Sequence, residues 1–322
     1  MAACSPASIT SAFRVRPASD VSTLRSAAEL PSQQGKLVVI TGGNRGLGFE
    51  TATAFVAAGA QVVLACRDPQ KAQQAIVPLQ QQYPAAQVEV MALDVADLAS
   101  VHRFAEAFNA RFEKLDVLIH NAAAILAPQG LTKDGFELHL GTNHFGPFAL
   151  TGLLLDRLNA AATARIINIS SMAHRLTAGL DPDDPGLRAR AYKPMDAYGR
   201  SKLASLLFTQ ELDRRLKSSG ARTLAVTAHP GYTATNLDLG GFFMRLATKL
   251  FAQAPAIGAL PALFAATTND AKGGEYFGPG GYKELSGAPK RVECSDAARD
   301  ALLAKRLWVL SEQLTGVRYL NS

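Results

Sequence analysis

The chain has 322 residues, of which 48% are hydrophobic and 19% charged, enough to bury a substantial core and too apolar for a disordered chain. Its formal net charge of +6 is spread along the sequence rather than gathered into a nucleic-acid-binding module, so nucleic acid is excluded as a partner and a general pull on anionic cofactors remains. Cys4, Cys66 and Cys294 show neither CxxC spacing nor a metal-ligand grouping, which fits free thiols in a reducing compartment and no metal centre.

Residues 1–34 read as an N-terminal extension, and residues 35–322 as one domain. Residues 1–19 are rich in Ala and Ser, carry Arg14 and Arg16, and contain no acid. Two readings stand: a transit peptide for the chloroplast or another organelle, or a disordered or loosely docked arm of a cytoplasmic protein. Short apolar runs then alternate with helical patterns. Strands are expected at Leu37–Thr41, Gln61–Cys66, Val88–Leu93, Val117–His120, Arg165–Ser170 and Thr223–Ala228. Helices are expected from Leu47 to Ala58, closed by Gly59, from Asp68 or Pro69, after a cap at Asp97, from Asp134 to Leu158, and from Asp196 to Lys217. Asp181–Gly186 and Gly278–Gly281 read as surface loops. The uncharged stretch from Leu250 to Asn269 approaches a membrane span in length, but Pro255, Gly258 and Pro261 interrupt it, so it reads as buried helix. Alternating βαβ units with continuous apolar strands imply a single-domain, doubly wound α/β (Rossmann) fold, a parallel sheet with helices on both faces.

Thr41-Gly-Gly-Asn-Arg-Gly-Leu-Gly48 lies directly between a strand and a helix. Gly42, Gly46 and Gly48 allow a tight turn and a close approach of backbone to a pyrophosphate, which the helix N-terminus then favours. The second strand ends at Cys66-Arg67-Asp68. Arg67, with Arg45 from the turn, suits a ribose 2′-phosphate, and Asp68 followed by Pro69 reads as a helix cap, so NADP(H) is expected over NAD(H). Tyr198 and Lys202 are four apart in a helix and share a face. An ammonium there lowers the pKa of a phenol that is otherwise too weak an acid, so Tyr198 can give a proton to an alkoxide or take one from an alcohol. Ser171 follows the fifth strand, where its hydroxyl could bind the substrate oxygen. Asn143 reads either as a buried structural amide or as the holder of a water in a proton relay with Lys202.

As a set, the glycine turn, Asp94, Asn121-Ala-Ala-Ala124, Asn143, Ser171, Tyr198-x-x-x-Lys202 and Pro230-Gly-Tyr-Thr-Ala-Thr235 resemble the short-chain dehydrogenases/reductases over residues 36 to about 315. The resemblance implies catalytic Asn143, Ser171, Tyr198 and Lys202. It also implies a cofactor site of Gly42, Asn44, Arg45, Gly46, Leu47 and Gly48, with Arg67, with Asp94 and Val95 near the adenine, and with Asn121, Ala122 and Ala123 beside the central strands. Tyr198 and Lys202 would complete it, and Pro230, Gly231 and Thr235 would hold the nicotinamide carboxamide. Two departures stand out. Ala123 replaces the family's usual glycine, and Ser171 and Tyr198 are 27 positions apart (198 − 171), more than in compact members. That spacing, Arg67 and the tail Arg306–Thr315 resemble the branch of retinol-dehydrogenase-like enzymes, a chloroplast-envelope dehydrogenase associated with protein import, and protochlorophyllide reductases.

By that resemblance the leading expectation is a carbonyl reductase of a lipophilic aldehyde or ketone, such as retinal. The alternatives are an NADP(H)-sensing interaction protein and a tetrapyrrole reductase. Phe242, Phe243, Leu246, Leu250 and Phe251 approximate one helical face, readable as a lid over a lipophilic pocket, as core, or as a peripheral membrane patch flanked by Arg245 and Lys249. The helices beginning near 134 and 196 are candidates for a homodimer interface.

Overall fold

The structure is a computed structural model that describes residues 24–186, 191–233 and 253–320. Its centre is an eight-stranded sheet of β1 (Leu37–Thr41), β2 (Gln61–Cys66), β3 (Val88–Ala92), β4 (Val117–His120), β5 (Arg165–Ile169), β6 (Leu224–Ala228), β7 (Tyr276–Pro279) and β8 (Pro289–Arg291). The order is β3-β2-β1-β4-β5-β6-β7-β8, parallel throughout except for β8, which runs antiparallel to β7. Because side chains alternate across a strand, each apolar run feeds two cores. Val38, Ile40, Val62, Leu64, Ile119, Ile167 and Val226 pack on one face beneath α1 (Gly46–Ala57). Val39, Val63, Ala65, Leu118, Ile166 and Ala225 pack on the other face, with residues of α3 (Leu98–Arg111, after α2 at Pro69–Gln82). The chain reverses direction across the sheet between β1 and β4. Ligands of doubly wound folds bind in the crevice beyond the carboxyl ends of the strands at that point.

The first six strands start and end within one residue of the sequence expectation. The helix expected from Asp134 to Leu158 is instead broken. A turn at Asp134–Gly135, with Gly135 at φ +83°, keeps the chain out of helix until the Glu137 carboxylate accepts from the amides of His139 (3.0 Å) and Leu140 (2.8 Å). α4 (Leu138–Leu140) passes into a π-helical turn at Gly141–Phe145, then α5 (Gly146–Leu153) and α6 (Leu155–Ala160). α7 begins at Pro194, two residues before expectation, and runs to Ser218. The loop expected at Gly278–Gly281 is half strand: Gly278 and Pro279 lie buried in β7. Gly278 is required there because a Cβ would come within 2.0 Å of His229 Nε2.

The described part of the uncharged stretch forms α8 (Pro255–Gly258) and the buried α9 (Leu260–Thr267). Among the described residues no helix is long and apolar enough to cross a membrane. α10 (Ala301–Thr315) packs along α7 and brings Trp308 against Phe148 and Phe208, so this part of the α5 and α7 surface is covered by the chain itself rather than left open to a second copy. Residues 1–23 and the proposed lid face at 242–251 lie outside the described residues. Leu24 and Leu30 do not: both are buried in the core, and the Gln33 amide donates to the Ala58 carbonyl at 2.8 Å.

Candidate active site

The turn between β1 and α1 is braced from behind by Asn121, just beyond β4. The Asn121 Nδ2 donates to the carbonyls of Thr41 (2.9 Å) and Gly42 (3.2 Å), while Thr41 Oγ1 accepts from the amides of Asn121 and Ala122, each at 3.0 Å. Gly48 lies so close that a Cβ would stand 2.4 Å from Asn121 Nδ2 and 2.7 Å from the Gly42 carbonyl. Gly42 turns with φ +66° against Ala122, whose Cα would lie 3.0 Å from any Cβ added there. α1 opens at Arg45–Gly46 without a side-chain cap, so its first amides are left for a ligand. The chemistry of these donors fits a pyrophosphate. The members of the turn are not equivalent, however. The Leu47 side chain is buried in the core, leaving only its amide for a ligand. The Gly43 and Asn44 amides point at the Cys66 thiol, which burial nevertheless pushes up to about 11.

Asp68 caps α2 by accepting from the Lys71 amide at 3.1 Å, with Pro69 in the first helical position. Its carboxylate is therefore committed to the helix, and Arg67 stands exposed at the end of β2, as does Arg45 in the turn. At the end of β3, Asp94 accepts from the Ala96 amide at 3.0 Å. The Val95 carbonyl lies against Gly146, where a Cβ would come within 2.0 Å of it. Ala123 is half-buried beside this crevice.

Ser171 follows β5 and caps a short 3-10 turn, Met172–Arg175, by accepting from the Ala173 amide at 3.2 Å. Its neighbour Ser170 faces the other way, donating to the Lys202 carbonyl at 2.8 Å and so setting α7 against the sheet. The Tyr198 phenol lies in hydrogen-bonding contact with Ser171. Burial pushes it up to about 12, and the Ser171 hydroxyl pulls in the opposite direction. Lys202 Nζ is buried, donates to the Ile169 carbonyl at 2.8 Å, and stands 5.7 Å from the centre of the Tyr198 ring. Burial pushes its ammonium down to about 7. Ser171, Tyr198 and Lys202 are thus brought together despite the long spacing.

Asn143, in the π-helical turn, accepts from the Ala124 amide (2.8 Å) and donates to the Ala124 carbonyl (2.9 Å) and to Ser201 Oγ (2.8 Å). Both amide protons are spent on the protein, so its side chain ties the segment after β4 to α7 and has no donor left for a water. Ser201 in turn donates to the Tyr198 carbonyl at 2.8 Å. On the far side, Pro230 and Gly231 follow β6, and Gly231 turns with φ +72°. Thr235 lies outside the described residues. Sequence reasoning set Ser170 aside in favour of Ser171, and missed Ser201 and a group next to Tyr198 in which half-buried Tyr192 meets buried Glu137 and His139. There the Tyr192 hydroxyl lies 3.0 Å from Glu137 Oε1 and 2.9 Å from His139 Nδ1, and the His139 ring stands edge-on to Tyr198 at 6.2 Å. The one usable signal was Tyr192 itself, six residues before Tyr198.

Gly48→Ala should weaken dinucleotide binding by about five- to 150-fold, because the added methyl displaces either Asn121 or the Gly42 carbonyl and with it the turn (about 1–3 kcal/mol of overpacking). Calorimetric titration with NADPH checks this, and unchanged affinity would show that the turn does not hold the cofactor.

Comparison with known proteins agrees with this geometry. A family model described as short chain dehydrogenase matches residues 36–182. Retinol dehydrogenase 12 of Mus musculus is 39% identical over 290 residues, 88% of each chain. Among solved structures, an uncharacterised protein from Mycobacterium paratuberculosis superposes with a TM-score of 0.77 at 43% identity, over 91% of this chain and 98% of that one. An active-site complex of Pseudomonas aeruginosa RhlG with NADP superposes with a TM-score of 0.61 at 25% identity, over 76% of this chain and 94% of that one. With the glycine turn, the Ser171–Tyr198–Lys202 cluster and these relatives in agreement, the chain belongs to the short-chain dehydrogenase family, in its retinol-dehydrogenase-like branch, and is an oxidoreductase of that family.

Proposed function

We propose that the protein reduces a lipophilic aldehyde or ketone to its alcohol with NADPH, with Tyr198 as proton donor. The observation that carries this reading is the placement of Tyr198 between the Ser171 hydroxyl and the buried Lys202 ammonium at the carboxyl end of β5. Bound NADPH supplies the hydride to the carbonyl carbon. The Ser171 hydroxyl holds the carbonyl oxygen, and Tyr198 passes its proton to that oxygen as negative charge develops there. The Lys202 ammonium offsets the charge left on the phenolate. A proton from solvent then restores Tyr198.

Arg67 and Arg45 support NADP(H), since a guanidinium pairs bidentately with a 2′-phosphate and Asp68 is occupied as a cap. The RhlG relative was solved with NADP. An apolar substrate is supported by Ile125, Leu176 and Met195, which are 36%, 67% and 44% exposed beside Ala124, the Ser171 turn and Tyr198 in the chain. It is also supported by relatives named as retinol dehydrogenases.

Two outcomes are expected. Purified protein should oxidise NADPH in preference to NADH and turn over retinal or long-chain aldehydes with a higher kcat/KM than short polar carbonyls; the reverse order would remove the lipophilic assignment. The pH profile follows from the two displaced groups. In the free protein Tyr198 stays protonated across the neutral range, whereas Lys202 loses its charge as pH rises through about 7. Reductive kcat/KM for NADPH should therefore be high below that value and fall above it. A flat profile from pH 6 to 9 would contradict the role given to Lys202.

A further inference from the structure

The turn that carries Ser171 and the segment that carries Pro230 and Gly231 come from different strands, and one carboxylate joins them. Arg175, the last residue of the 3-10 turn after Ser171, donates from Nη2 to Glu284 Oε1 at 3.2 Å and Oε2 at 3.4 Å. His229 Nε2 lies 3.1 Å from Glu284 Oε2, and its Nδ1 accepts from the Gly231 amide at 3.2 Å. Since Nδ1 must accept, the ring proton sits on Nε2 and is given to Glu284. The same turn is held again by His174, which accepts from the Ser295 amide through Nε2 and so donates through Nδ1 to the Ser171 carbonyl at 2.7 Å. The Tyr276 ring fills the space between the two imidazoles, 5.7 Å from His174 and 5.1 Å from His229.

Glu284 sits at the tip of the β7–β8 hairpin, and its backbone is unusual. Lys283 and Glu284 are consecutive non-glycine residues at φ +48° and +58°, the left-handed region that glycine would occupy at no steric penalty. Such strain persists only where the surroundings over-determine it, and it concentrates at functional sites. Here the tip is pinned by the Gly281 amide on the Ser286 carbonyl (2.9 Å) and by the Tyr232 amide on the Leu285 carbonyl (2.9 Å). Gly231 has no room for a side chain because a Cβ would lie 2.5 Å from the Leu285 carbonyl.

We propose that Glu284 is a positioning residue of the active site, clasping the Ser171 turn to the Pro230–Gly231 segment through Arg175 and His229. The inference rests on the functional reading above, in which Ser171 meets the carbonyl, and on the family resemblance, by which Pro230 and Gly231 hold the nicotinamide carboxamide. Without the carboxylate, the buried His229 N–H loses its acceptor, and the Gly231 amide and the Ser171 turn lose their common anchor. The adenosine end of the cofactor, which falls to Arg67, Arg45 and Asp94 around β1–β3 on the other side of the sheet's centre, is untouched by Glu284.

The test uses the full chain as wild type, Glu284→Ala, Glu284→Gln and Arg175→Met. It measures kcat with a long-chain aldehyde, affinity for NADPH, affinity for 2′,5′-ADP (which lacks the nicotinamide half), and the thermal midpoint. Glu284→Ala should lower kcat and NADPH affinity by about tenfold, the worth of one charge-assisted hydrogen bond, with 2′,5′-ADP affinity within about twofold of wild type. Glu284→Gln, which keeps an acceptor for His229, should recover most of the NADPH affinity, and Arg175→Met should act mainly on kcat. Unchanged kcat and NADPH affinity in Glu284→Ala would overturn the proposal. So would an equal loss for NADPH and 2′,5′-ADP together with a lower midpoint, the pattern of a purely structural residue. Wild-type protein that binds NADPH but reduces no aldehyde would instead overturn the functional reading, while the contrast between the two ligands would still decide the role of Glu284.

Discussion

The site depends on how α7 is fastened to the end of β5. Lys202 reaches the Ile169 carbonyl with its ammonium while its own carbonyl accepts from Ser170, so one residue makes both halves of a reciprocal clamp, each at 2.8 Å. Deeper in the same contact, Asn168 on β5 and Thr227 on β6 both bond Thr209 of α7, at 2.9 and 2.8 Å. With the helix fixed in rotation and height, Tyr198 one turn earlier can only stand beside Ser171. The clamp is not free of penalty. Burial lowers the Lys202 pKa from its ordinary 10.5 to about 7, so below that pH the folded protein carries a charge it solvates poorly. Between those two values the unfolded chain binds the extra proton, so this residue's contribution to stability improves as pH rises through the window. A buried cation retained under that handicap is better explained by its chemistry than by its contribution to the fold.

A second rigid element, the glycine turn, is built by the same logic of shared partners. Asn121 bonds the carbonyls of Thr41 and Gly42, and its neighbour Ala124 is bonded twice by Asn143, whose remaining proton goes to Ser201 on α7. The glycine turn, the end of the central strand β4 and α7 are therefore parts of one hydrogen-bonded chain. Asn143 matters here as its middle link, and the π-helical turn that carries it is a local irregularity of the kind that gathers at functional sites.

Much of this was legible in the sequence, for physical reasons. The first six strands are continuous apolar runs because both faces of a parallel sheet are buried, and the pair at 198 and 202 is visible because helical spacing puts them on one face. The cap at Asp68 was readable from Pro69 alone. What stayed hidden depends on contacts between distant residues. The apolar periodicity from 134 to 158 continues through a turn and two helix breaks, so it overstates one helix. β7 and β8 are short, and Gly278 and Pro279 of β7 read as loop, yet β7 extends the parallel sheet beside β6 and carries β8 as its antiparallel edge. Glu284 meets His229 and Arg175 across 55 and 109 positions, and no local pattern announces such a meeting.

The most direct measurement is NADPH oxidation with a long-chain aldehyde by wild type and by Tyr198→Phe, with NADPH affinity determined for both proteins. Loss of one phenol hydroxyl should lower turnover by about 100-fold or more, the usual worth of general acid catalysis, while NADPH affinity stays within about twofold. Turnover that survives in Tyr198→Phe would show that the proton comes from elsewhere and would contradict the account.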